Sequence, residues 1–244
     1  MTDLAQQLRL GTQQAHTTAE NSLFMKCFLD GIVVESTFRK LLSNLYWVYR
    51  TLETAMEEYR DHPIVGPMVF PEIQRTAKLQ EDLQFYYGEA WRDAIGPEIT
   101  PAGQVYVTRL QQVTRENPAL LVPHSYVRYL GDLSGGQGLK GIVRKALNPP
   151  PDQGTGLHEF DLLPTPEAKQ TFKERYRAAL NQLPVDEVLA EQMVLEAQRA
   201  FHLNCAVMAS LDGEMVLALE PATLQRLQDA HRPGSTQGAP AMAS

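Results

Sequence analysis

The sequence predicts an all-α, single-domain protein, and three observations carry that prediction. Apolar residues recur at helical spacing along most of the chain, prolines fall between those runs, and no stretch alternates as a strand does. The first run, residues 3–20, places Leu4, Leu8, Ala15 and Ala19 on one stripe behind Thr2 and Asp3, which can cap its start. A long amphipathic run covers 35–60. Another covers 71–88, where Pro71 suits a first helical position. Residues 100–116, 123–148, 165–182 and 184–219 read as the remaining helices. Pro63, Pro67, Pro97, Pro149, Pro150, Pro151 and Pro164 punctuate them, because proline lacks the amide hydrogen that a helix interior needs. From about Pro221 the apolar period fades into PGSTQGAPAMAS. The domain is therefore expected over 1–220, with 221–244 a disordered polar tail.

At 244 residues the chain is long enough for one large shared core. Twenty-nine acidic against 22 basic residues give a net charge of -7, which disfavours a nucleic-acid partner. Cys27 and Cys205 both lie among apolar neighbours. No CxxC or paired Cys/His spacing supplies ligands for zinc or an iron–sulfur cluster, so they read as free thiols of a reducing compartment. The start, MTDLAQQLRLGTQQ, lacks the apolar stretch of a signal peptide, and no run of about 18 apolar residues occurs. A cytoplasmic protein without a membrane anchor is the expectation.

On the first helix, Arg9, Gln13, His16 and Glu20 fall in a band beside the apolar stripe. His16 sits nearest the core, and Glu20 is one turn on, where it can hold the ring nitrogen that does not bind metal. Arg9 lies two turns back, roughly 10 Å along the axis, a reach that suits the anionic edge of a ligand centred over His16. A solvated histidine with a neighbouring carboxylate would leave the same pattern. No ExxH or HExxH occurs, so neither a di-iron carboxylate bundle nor a zinc protease is supported.

The segment YVRYLGDLSGGQGLKGIVRKAL has a helical period, yet Gly131, Gly135, Gly136, Gly138 and Gly141 interrupt it. Each glycine costs on the order of 1 kcal/mol against alanine in a helix, so something should need the bare backbone. Gly131, Gly135 and Gly138 share a face, where a flat ligand can lie close or another helix can cross. Gly136-Gln-Gly138-Leu-Lys-Gly141 matches GxGxxG without the strand that the dinucleotide fingerprint requires. LSGGQ matches a transporter-ATPase signature, but no GxxxxGK[ST] phosphate loop accompanies it. Arg128 and Asp132, at i,i+4, adjoin the glycine face as either a surface ion pair or the anchor of a hydrogen-bond network.

HSYVRYLGDLSGGQ resembles the distal-helix motif of the heme oxygenases, and LRLGTQQAHTTAEN resembles their proximal segment. FLDG, NLYWVYRTLE, VFPE, DLQFYYG, LLVPHSY, FKERYR and EAQRAFHLN extend the likeness over roughly residues 3–217. The resemblance implies a multi-helix bundle with heme b, both substrate and cofactor, between a proximal and a distal helix. It implies His16 as the axial iron ligand and Glu20 as its hydrogen-bond partner. Gly131 and Gly135 would form the distal backbone with Gly136 beside them. Asp132, joined by Arg128 and Tyr49, would organise distal waters, and Arg9, Tyr126, Lys173 and Arg177 would hold the propionates. Gln13 stands where animal members carry a lysine, and Val127 replaces a threonine. The implied reaction uses dioxygen and external reducing equivalents, with ferredoxin the usual donor of the soluble type. It opens heme at the α position to biliverdin, carbon monoxide and ferrous iron, and a bilin reductase would act downstream. Lys140, Arg144 and Lys145 form a basic cluster that can dock an acidic ferredoxin or simply complement a helix C-terminus. The competing function is a protein that stores, carries or senses heme without degrading it.

Overall fold

A computed structural model describes residues 3–231 of the chain. They form, in order, α1 (Leu4–Gly11), α2 (Gln13–Glu20), α3 (Leu23–Leu29), α4 (Glu35–Glu58), α5 (Thr76–Tyr87), α6 (Trp91–Ile95) and α7 (Pro101–Glu116). There follow α8 (Leu121–Ser134), α9 (Gly136–Leu147), α10 (Pro166–Gln182), α11 (Glu187–Ala209), α12 (Asp212–Ala218) and α13 (Pro221–Asp229). Short 3-10 turns, among them Gly156–His158, join them, and no strand occurs among the described residues. The architecture is all-α, as the periodicity predicts.

The central helix is α11, which packs against α1, α2, α3, α4, α7 and α8. Its buried Ala190, Ala197 and Ala200 let neighbours approach closely, and Met193 and Val207 fill the gaps between them. The predicted stripe is in place at the amino terminus: Leu4 and Leu8 are buried, and so is Ala15. Asp3 caps α1 by accepting from the Gln6 amide at 2.9 Å. Thr2 lies outside the described residues.

The run over 3–20 is two helices rather than one. A Cβ on Gly11 would stand 2.4 Å from Val194 Cγ1, so the last turn of α1 lies against α11 where only glycine fits. Gln198 donates to the Gly11 carbonyl at 2.8 Å, and the Thr12 hydroxyl donates to Leu8 O at 2.7 Å. These bonds occupy carbonyls at the seam, and α2 starts from Thr12 on its own. The long run 123–148 likewise divides at Gly135, where the amides of Gly138 and Leu139 converge on one carbonyl at 3.0 and 3.2 Å.

The expected tail is corrected over its first turns. Pro221 opens α13, whose Leu227 is only 1% exposed. Arg226 pairs with Asp30 at 2.5 Å, and the nearly buried Lys26 donates to the Gln228 carbonyl at 3.3 Å. One anchoring leucine leaves too weak a period to read, yet it and these two contacts pin the segment to α3. The remainder of the expected tail, 232–244, lies outside the described residues.

Candidate active site

On α2, His16 is half-buried, with its ring 5.8 Å from that of Phe201 on α11 in an edge-on contact. Its Nδ1 faces Glu20 Oε1 at 3.6 Å. That is beyond hydrogen-bond length, and Nδ1 has no hydrogen-bond partner among the described residues, so Glu20 stands near this nitrogen without holding it and Nε2 is the atom left for a metal. Because α2 begins afresh at Thr12, the Gly11–Thr12 seam sets which way this helix presents His16.

Beside this helix, Tyr126 of α8 meets α1 and α10. Burial pushes its phenol up, while Arg177, Arg9 and its hydrogen-bond partner Thr12 pull it down. Lys173 is pushed down by burial and then by Arg177, one helical turn away. Arg9, Lys173 and Arg177 make no ion pair with any carboxylate among the described residues. Arg9 and Arg177 at one phenol, with Lys173 beside Arg177, gather positive charge that suits an anion.

Further along α8, and into α9, lie the glycines. A Cβ built on Gly131 or Gly138 meets no atom within 4 Å, and one on Gly135 meets only the Gly131 carbonyl at 3.7 Å. No protein neighbour requires these positions to be bare, so close helix crossing does not explain them. Open peptide surface remains, bare enough for a flat ligand to approach the backbone closely. Gly136 differs from these three, because its side-chain position points at His158. A Cβ there would lie 2.9 Å from His158 Nδ1, so Gly136 is bare to admit His158 and does not belong to the open strip.

Behind the strip lies a buried polar network. Tyr49 donates to Asp132 Oδ2, and Arg128 Nε donates to the Tyr49 hydroxyl at 3.1 Å. The Arg128 guanidinium also reaches Asn204 Oδ1 at 2.6 Å and Asp132 Oδ1 at 3.5 Å. Burial opposes the charge on Arg128, but the oxygens of Tyr49 and Asp132 outweigh it and keep the guanidinium charged. Burial, with Asp132 adding to it, holds the Tyr49 phenol well above its usual range, so Tyr49 keeps its proton and donates. Tyr129 extends the polar layer to Glu53 at 3.1 Å, and Glu53 in turn accepts from the Arg75 amide at 2.5 Å.

The sequence reading did not assign Asn204, Glu53, Arg75 or His158. Asn204 lies within the quoted FHLN stretch, but only the crossing of α11 over α8 shows what it holds. His158 gave no signal, being a histidine in a turn. The basic cluster is also modified: Lys140 and Arg144 share Glu159 at 2.7 and 3.3 Å, which leaves Lys145 as its exposed member without an ion pair among the described residues.

Fold and side-chain chemistry together define a class, the all-helical proteins that carry a half-buried histidine, a cationic cluster and a bare-backbone strip on separate helices. The Heme oxygenase family model matches residues 2–210. Heme oxygenase 2 of Synechocystis sp. is 51% identical over 237 residues, spanning 97% of this chain and 94% of that protein. Heme oxygenase 1 of Nostoc sp. is 42% identical over 235 residues, 96% of this chain and 97% of that one. The crystal structure of Synechocystis heme oxygenase-2 with heme and NO superposes with a TM-score of 0.95 at 50% identity, covering 98% of this chain and 97% of that one. The chain belongs to the heme oxygenase family, enzymes that degrade heme.

Proposed function

We propose that this chain opens heme at the α position to biliverdin, with release of carbon monoxide and iron, and that the residues above divide the work as follows. Bound heme supplies the iron that activates dioxygen and the ring that is oxidised. His16 Nε2 would hold the metal, and a small approach of Glu20 to Nδ1 would fix the tautomer. Arg9, Lys173 and Arg177, with the Tyr126 hydroxyl, bind the propionates and so orient the ring. Gly131 and Gly135, with Gly138 on the same face, present bare peptide to its far side.

Asp132 is the proton-handling group. Both of its oxygens accept hydrogen bonds, from Tyr49 and Arg128, which fix its side chain where it can order water beside the open strip. That network carries the proposal, because a protein that only stores heme has no use for a buried Tyr–Asp–Arg–Asn chain behind the ring. The test is to add heme and a reductant in air and follow the Soret band. Decay into a bilin spectrum is expected. A stable band would leave the protein a heme carrier. In Asp132→Ala, bilin yield should fall at least about tenfold, the usual scale for a lost proton-transfer group, while heme binding persists. Full yield from that variant removes Asp132 from the mechanism.

The reductant is an external electron donor, an acidic ferredoxin, drawn by the basic end of α9. Lys145→Glu is expected to raise the KM for ferredoxin and flatten the salt dependence of turnover, since exposed charges act mainly on encounter. An unchanged salt profile moves the docking site elsewhere. A bilin reductase would take the product, and the cytoplasm is the compartment that fits two unbridged cysteines.

A further inference from the structure

The turn Gly156–His158 is held more firmly than its loop position implies. Asp82 of α5 accepts from the Gly156 and Leu157 amides at 2.7 and 2.8 Å. The Arg75 guanidinium donates to the carbonyls of Leu157 and Glu159, and Gln137 donates to the His158 carbonyl at 3.0 Å. Side chains from before α5, from α5 itself and from α9 thus clamp a few consecutive residues. What they position is the His158 ring, which is 4% exposed.

Its Nδ1 is buried and has no hydrogen-bond partner among the described residues. The point where a Gly136 Cβ would stand is 2.9 Å from that nitrogen and 3.8 Å from Asp132 Cβ. Leaving a buried nitrogen without a partner is costly, and here it sits beside the charged network rather than among apolar groups. The charged groups facing the ring are Asp132 and Arg128 from α8, Arg75 from before α5, and the neighbouring Glu159. Asp82 is engaged with the turn's backbone, and Lys140 and Arg144 with Glu159.

We propose that His158 is a positioning residue for the proton-handling network: a neutral imidazole whose free Nδ1 accepts from a water that Asp132 also holds, extending the network away from the slot toward the Gly156–His158 turn. This inference rests on the assignment of Asp132 above. Burial pushes the ring down to about 4, with Arg128 and Arg75 adding to the shift and Asp132 opposing it, so it stays an acceptor through neutral pH. Gly136 is part of the device, since any side chain there would displace the ring.

Two measurements test it, and the first needs no heme. In the heme-free protein, histidine side-chain NMR should show His158 titrating far below the ordinary histidine range. In Asp132→Asn its proton affinity should fall further, by about threefold or more, because the opposing carboxylate charge is gone. In the loaded enzyme, His158→Phe keeps the ring volume without the nitrogen, and His158→Asn keeps a polar atom near Nδ1. Both should show the wild-type Soret band. His158→Phe should lose about tenfold in turnover with a displaced pH profile, and His158→Asn should recover most of it. A His158 titration indifferent to Asp132→Asn, or a His158→Phe enzyme with wild-type rate and pH profile, overturns the proposal. If Asp132→Ala itself keeps full bilin yield, the assignment of Asp132 fails instead.

Discussion

On the proposed assignment His16 would hold the iron and the cationic cluster would orient the ring, so the two roles are separable by mutation. In His16→Ala the Soret band should shift, with added imidazole restoring it; an unmoved spectrum would assign the ligand elsewhere. In the double variant Lys173→Ala, Arg177→Ala the Kd for heme should rise about tenfold, equivalent to about 1.4 kcal/mol, because both cations sit at the solvent edge. Fluorescence quenching by heme measures this directly. At this scale the sequence was legible where residues share one helix. His16 with Glu20, Arg128 with Asp132 and Lys173 with Arg177 are all i,i+4 pairs, and spacing alone places them together. Asn204 and His158 come from distant segments, with nothing local to announce them. That a side chain at Gly136 would meet His158 was hidden for the same reason, since the two belong to different segments.

Among the helices, α8 and α9 sacrifice intrinsic stability for an open surface. Gly131→Ala puts a methyl group into open space, so the heme-free protein should gain up to about 1 kcal/mol from helix propensity, read as a rise in thermal midpoint. Heme turnover should fall in the same variant, since the methyl stands where the ring would lie. A variant that is neither more stable nor slower contradicts the account of the strip. Gly11 is the opposite case: Gly11→Val drives side-chain atoms into Val194 and should destabilise by about 1–3 kcal/mol, the range for overpacking. The long helices α4, α7, α10 and α11 could be read from the sequence because each repeats its apolar period over several turns. α3, α6 and α13 could not, being too short to show a period, with α13 held by a leucine and two contacts. The seams at Thr12 and Gly135 were invisible for another reason. A helix that breaks and resumes on nearly the same course leaves the apolar stripe uninterrupted.

Over the whole molecule, buried titratable groups oppose one another in acid. His158 has its pKa lowered from 6.5 to about 4, so between those values the unfolded chain binds a proton that the folded one refuses. Stability is therefore lost as the pH falls through that window. Asp82, raised from 3.8 to about 6, works in the other direction, because the folded protein takes up its proton first. Relative to wild type, His158→Phe should gain about 3 kcal/mol as the pH drops from 6.5 to 4, measured by urea unfolding at each pH. A constant difference across that range would mean that the imidazole is not held neutral. The clasp between α3 and α13 has a consequence in time rather than in energy. Lys26 finds its carbonyl partner 202 residues later, so a chain still on the ribosome emerges with that wall unlatched. The latch closes only when the segment carrying Leu227 has been made.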